Sequence, residues 1–366
     1  MNIENLTKSF EKPLAGENIA IKTYRKLMSQ RMAIHWGGIT DPFSNIERLN
    51  QQKTSLQILK LFRQHQYPVI ISTKSFWIKD EQEYIENITQ NRNLIMQISL
   101  ISLNNKLEKL ESGTSIQARL DSIKLFSKTN RVIVRCQPYI PELDGKEGKE
   151  LFVKTIAENG AKAMTLEFLK LSSFQNEKGK KVFDEISTIL GYDIIKYYKF
   201  KGRVSGTDYE IKNRYKFPVI MEFKELCKKY GLEFYCADNA FRSFGDSCIC
   251  CGIPADYEIN SYKAQTSYAL FIAKKKGFVK FSDIVNDDNS EYEKEFLGTE
   301  IGSWLNLGSS EKHIQFGKKT FREKLMFIWD NPRNPNNPAR FFVDLFADGM
   351  DEEGHIIYKY KKYDNK

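Results

Sequence analysis

Five short apolar runs, separated mostly by single helix-length segments, fill the first half of the chain and leave few folds open to it. The runs are residues 32–38 (MAIHWGG), 68–74 (PVIISTK), 94–101 (LIMQISLI), 131–139 (RVIVRCQPY) and 161–171 (AKAMTLEFLKL). Runs of this length, bounded by Gly, Pro and polar clusters, read as buried strands. Between them, 46–66 carries Leu49, Leu56, Leu59 and Phe62 at helical spacing. Segments 81–92, 115–128 and 149–159 also read as helices, with Ser115 as a candidate cap. Strands alternating with single helices pair in parallel through βαβ crossovers. Five units in sequence predict an α/β protein with an incomplete parallel (β/α) barrel.

The rhythm breaks after Ser172. Helices are expected over 178–201 and within 209–230, and a last strand over 232–237. A cysteine-rich loop follows at 236–254, then a helix at 262–276, an acidic linker at 281–293 and an irregular Pro/Asn segment at 331–340. The expected division is a lead-in at 1–31, the partial barrel at 32–238 and a Cys-rich, mainly helical extension at 239–366.

Composition narrows the class. At 41% hydrophobic and 13% aromatic residues, the chain can bury a core and is not disordered. No apolar stretch approaches the ~20 residues that span a bilayer, so no membrane partner is expected. Six cysteines in 366 residues, with no basic-then-apolar start, predict a reduced, cytoplasmic protein. The net charge of +9 favours polyanionic partners. In the distal third, aromatics such as Trp329 and Phe342 alternate with Arg322, Arg333 and Arg340, a mixture that suits nucleic acid as well as ordinary packing. The absence of GxxxxGK[ST], GxGxxG and GxSxG argues against a P-loop NTPase, a Rossmann dehydrogenase and an α/β-hydrolase.

In a βα array, functional groups gather where strands end. Gly37, Gly38, Thr40 and Asp41 follow the first strand, and Lys74 ends the second. Two glycines let a ligand approach the backbone, or make a tight turn that Asp41 caps. Lys74 offers a cation to a carboxylate or phosphate, or is an exposed loop lysine. Gln97 and Ser99 alternate with Ile98 and Leu100, so they face a polar cavity or pair inside the barrel. Arg119, Arg135 and Gln137 lie further along, and one or two of these arginines are expected in structural ion pairs. His35 adjoins the glycine loop, as a ligand contact or a satisfied core histidine.

Cys236, Cys248, Cys250 and Cys251 place four thiols within 16 residues, a set that suits an iron–sulfur cluster or zinc. Buried apolar cysteines are the alternative. Cys227 reads as a reserve ligand on a polar helix side, and Cys136 as core.

The strings GGITDPF, PVIISTKS, LIMQISLISL, LESGTSIQARLDSIKLF and VIVRCQPYIPEL occur in this order between Gly37 and Leu143. This succession resembles radical S-adenosylmethionine enzymes of the spore photoproduct lyase-like group, over about 32–171. FYCADNAFRSFGDSCICCGIP resembles the cysteine-rich segment after the barrel in some members. The resemblance implies S-adenosylmethionine as cofactor, its methionine amine met by the Gly37–Gly38 backbone and its carboxylate by Lys74 and Ser99. It places Thr40, Asp41 and Arg119 at recurrent positions. It implies an auxiliary iron–sulfur cluster, rather than zinc, on Cys236, Cys248, Cys250 and Cys251.

Two departures qualify the implied chemistry. The group's CxxxCxxC cluster motif precedes the glycine region, whereas the first cysteine of this chain is Cys136. A separate chain carrying that segment is one expected partner, with a truncated or decayed copy as the other readings. Spore photoproduct lyases also carry a hydrogen-donating cysteine near the position of Gly38, so repair of that thymine lesion is not implied. The expectation is radical S-adenosylmethionine-type chemistry on an unidentified substrate. The alternative is a non-catalytic, metal-stapled binding module or remnant.

Overall fold

The apolar runs form a six-stranded sheet in which every pairing is parallel. A computed structural model describes residues 3–15, 28, 31, 33–111, 115–172, 176–205, 208–246, 266–285, 321–334, 337–342 and 344–361. The first strands are β1 (Ile34–Trp36), β2 (Val69–Thr73), β3 (Leu94–Ser99), β4 (Arg131–Tyr139) and β5 (Ala163–Phe168). A small antiparallel sheet follows, made of β6 (Leu171–Ser172), β7 (Gly202–Ser205) and β8 (Asp208–Ile211), and then β9 (Glu233–Cys236). The main sheet runs β1-β2-β3-β4-β5-β9. Among the described residues β1 and β9 are its two open edges, so the expected partial barrel is what forms.

Successive side chains of a strand point to opposite faces, and here the two faces differ in kind. Val69, Ile71, Met96, Val134, Leu166 and Phe234 enter the large core between the sheet and its helices. On the inner face, Ile70, Ile95, Ile133, Ala163 and Tyr235 make a smaller apolar layer. Two residues toward the carboxyl ends, the same face turns polar with Ser72, Gln97, Arg135 and Thr165. The register sets Ser72 beside Gln97, and places Ser99, Arg135 and Thr165 in one row.

Local chemistry fixes the helix starts. Ser115 Oγ accepts from the Ala118 amide at the head of the helix Ile116–Phe126, as expected, and Asp193 caps Ile194–Lys201 in the same way. The helix expected over 46–66 is instead two, Asn45–Leu49 and Thr54–Gln64, parted at Lys53, whose φ of 43° is left-handed. β4 runs through Pro138 to Tyr139, its expected end, with its register shifting between Cys136 and Tyr139, where a missing N–H costs no ladder bond.

The extension holds its own core, with helices Thr266–Lys276 and Phe321–Trp329 against a three-stranded antiparallel sheet. That sheet orders β10 (Phe278–Val279), β12 (Ile356–Tyr360) and β11 (Leu345–Met350) as β10-β12-β11. Part of the expected acidic linker is the helix Phe281–Val285, because Phe281 and Ile284 bury into this core. The expected irregular segment contains one helical turn, Pro338–Phe341. Asn337 caps that turn and donates its amide to the carbonyls of Ile328 and Trp329 and to the Tyr358 hydroxyl. Trp329 and Phe342 are core residues here, which removes both from any base-stacking surface. Among the described residues, no helix is long and apolar enough to cross a membrane.

Candidate cofactor cleft

At the carboxyl ends of β1 to β4 the inner face opens into a cleft of about 330 Å³, lined by Gly37, Gly38, Ile39, Asp41, Ser72, Thr73, Lys74, Ser99, Arg135 and Gln137. Five expected residues, Gly37, Gly38, Asp41, Lys74 and Ser99, therefore meet at one place. Thr40 is exposed and does not line the cleft. Arg119 is buried in the helix Ile116–Phe126, and its Nη1 donates to the Ser99 carbonyl at 2.8 Å.

Glycine is required at position 37. Its φ is +98°, and a Cβ there would stand 2.1 Å from the Ser72 carbonyl oxygen. The backbone can thus press against the end of β2, while Gly38 lies over the His35 ring. Asp41 fastens the loop. Its carboxylate accepts from the Phe43 amide at 2.9 Å, the Thr73 hydroxyl at 2.8 Å and the Lys74 amide at 2.7 Å. With both oxygens engaged, Asp41 acts as a staple between β1 and β2.

Ser72 links two strands. Its hydroxyl donates to Gln97 Oε1 at 2.6 Å and lies 2.7 Å from His35 Nε2. Because the Ser72 proton is committed to Gln97, the proton of this pair sits on His35 Nε2. Partial burial of the ring, followed by the Arg135 charge, lowers the His35 pKa from 6.5 to about 4. His35 is neutral at ordinary pH and does not serve there as a cation.

Lys74 pairs with Glu111, which also lies 2.6 Å from Arg119 Nη1. Burial alone would raise the Glu111 carboxyl, but Arg119 and Lys74 outweigh it and hold the group below its usual range. Lys74 keeps 46% of its side-chain surface, so its ammonium can still meet a ligand. Sequence reasoning missed Glu111, which is 37 residues from Lys74 and joined to it only by the fold. Arg135 and Gln137 were seen on their strand but not assigned to the site. Their alternation with Ile133, which faces the inner layer, was the available signal.

The thiols lie elsewhere. Cys136, Cys227 and Cys236 are all buried in the helix-facing core, and burial pushes each thiol above its usual range. This bears out Cys136 as core and corrects Cys227, which faces the sheet and no polar surface. Cys248, Cys250 and Cys251 lie outside the described residues. Among the described residues, no group of three His, Cys, Asp or Glu side chains could hold a metal.

No family model matches the chain, and no curated protein does either. Solved structures do. A spore photoproduct lyase variant is 12% identical over 64% of this chain and 67% of its own, with a TM-score of 0.47. Another variant, with bound AdoMet and dinucleoside spore photoproduct, is 12% identical over 62% and 70%, with a TM-score of 0.43. SuiB of Streptococcus suis bound to S-adenosylmethionine is 11% identical over 87% and 60%, with a TM-score of 0.38. The chain spans about two thirds of the length of the lyase structures.

Proposed function

We propose that the cleft binds S-adenosylmethionine and that the chain takes part in radical S-adenosylmethionine-type chemistry in a reduced, cytoplasmic setting. The observation that carries this reading is the convergence of Gly37, Gly38, Lys74 and Ser99 on one cleft at the strand ends. The Gly37–Gly38 backbone would meet the methionine amine, and Lys74 with Ser99 the carboxylate. An oxyanion beside an ammonium and a hydroxyl gains charge-assisted hydrogen bonds. The bound cofactor would supply a sulfonium for reductive cleavage. The residues of this cleft position it and hold a neutral histidine beside it.

A cluster at the cleft does not fit the described side chains. Among the described residues no cysteine lines the cleft, so no reductive step is assigned to it. The partner proposed for that step is a separate chain with a CxxxCxxC segment. For Cys236, Cys248, Cys250 and Cys251 the proposal stays an auxiliary iron–sulfur cluster. Cys236 is a poor ligand as it stands, because its sulfur is buried in the core and burial holds its thiol protonated. Anaerobic addition of iron and sulfide should give visible charge-transfer absorption. A colourless product would end the cluster proposal.

Equilibrium dialysis with S-adenosylmethionine tests the cleft. The wild type should bind one equivalent, and Lys74→Gln should weaken binding about tenfold, the loss of one charge-assisted contact. Equal binding by both proteins would reject the role of Lys74.

A further inference from the structure

Arg135 differs from Arg131, which shares its strand, and from Arg119. Arg131 pairs with Glu233 at 2.7 Å, and Arg119 pairs with Glu111 at 2.6 Å. Arg119 thus fills the structural role expected of at least one of Arg119 and Arg135. Arg135 has no carboxylate within ion-pair distance among the described residues. Its one side-chain hydrogen bond there runs from Nε to Gln137 Oε1 at 2.7 Å. Gln137 is in turn 3.4 Å from the Thr165 hydroxyl across the strand pair. The guanidinium is therefore anchored at Nε alone, with Nη1 and Nη2 left for a visitor. Both Arg135 and Gln137 line the cleft.

The neighbouring charges have other roles, Lys74 being the one assigned to the cofactor carboxylate. Asp41 is closed by three internal donors, and Lys74 shares Glu111 with Arg119. The positive charge of Arg135 reaches His35 across the inner face and helps keep that ring neutral. A planar fork with two free N–H ends matches two oxygens of a carboxylate or phosphate.

We propose that Arg135 binds an oxyanion, a phosphate or a carboxylate, of a substrate that shares the cleft with the cofactor. The inference rests on the cofactor reading for the word substrate. The oxyanion site itself can be tested separately.

Isothermal titration of the whole chain at low salt uses inorganic pyrophosphate and citrate as probes, with S-adenosylmethionine in a parallel titration. At least one anion should bind to the wild type. Arg135→Gln should weaken it about tenfold or more, with a smaller loss in Arg135→Lys, which keeps the charge but not the fork. In each variant the loss of anion affinity should exceed any loss of S-adenosylmethionine affinity by threefold or more. The preferred probe separates phosphate from carboxylate. Anion binding that is absent from the wild type, or unchanged in both variants, overturns the proposal. Should Arg135→Gln fail to fold, Arg135→Lys decides. Arg135-dependent anion binding without any S-adenosylmethionine binding would sink the cofactor reading and leave the oxyanion site standing.

Discussion

The two faces of the parallel sheet are made from alternate residues of the same strands, yet they do opposite jobs. The helix-facing side takes Val132, Val134 and Cys136 from β4 into a dry core. The inner side takes Ile133, Arg135 and Gln137 from the same strand, and turns from apolar to polar toward the carboxyl end. Polarity at a strand end is tolerable only where each group finds a partner or water. Ser72, Gln97 and His35 satisfy one another, Asp41 is saturated, and Arg135 keeps open donors toward the cleft. The difference also explains the thiols. Cysteines on the dry side are small hydrophobes with raised pKa values, poorly suited to act as ligands or nucleophiles.

Moving polarity by one residue along β4 breaks this comparison most forcefully. Val134→Gln puts an amide into the helix-facing core, where Val134 is fully buried. The unpaired amide and the added volume should cost about 3 kcal/mol or more. The neighbouring Arg135→Gln leaves a polar group facing the cleft and should change stability by less than about 1 kcal/mol. Urea denaturation of both variants decides. Equal losses would mean that the two faces are not distinct environments.

A smaller effect sharpens the inner-face half of the comparison. The His35 pKa of about 4 in the folded chain lies below its ordinary 6.5. Between those values the unfolded chain binds a proton that the folded chain refuses, so stability falls as pH drops from 6.5 to 4. Below that window this group adds no further slope. His35 sits on the edge strand with much of its surface in water, so screening keeps the slope shallow. Denaturation midpoints across the window should fall less steeply in His35→Asn than in the wild type. Identical slopes would remove His35 from the account.

The sheet was legible because buried parallel strands read as nearly continuous apolar runs. Gln97 and Ser99 showed through because polar residues inside such a run need a cavity. Gly37, Lys74 and Ser99 could be placed because strand ends follow from strand positions. What stayed hidden depends on contacts between distant segments. Glu111 meets both Lys74 and Arg119, whose helix Ile116–Phe126 also sets Arg119 against the Ser99 carbonyl. In the extension, β11 has the pattern LFADGM and is mostly exposed, so no alternation announced it. The helix Phe281–Val285 is short, and its two core anchors were outweighed by acidic neighbours in the sequence.

Amide hydrogen exchange with and without S-adenosylmethionine tests the central claim most directly. Binding at the polar strand ends should slow exchange in the segments around Gly37–Asp41, Lys74 and Ser99, and leave the helix-facing cysteine segments unchanged. Saturating nucleoside with no added protection at those strand ends, or with protection confined to the extension, would contradict it.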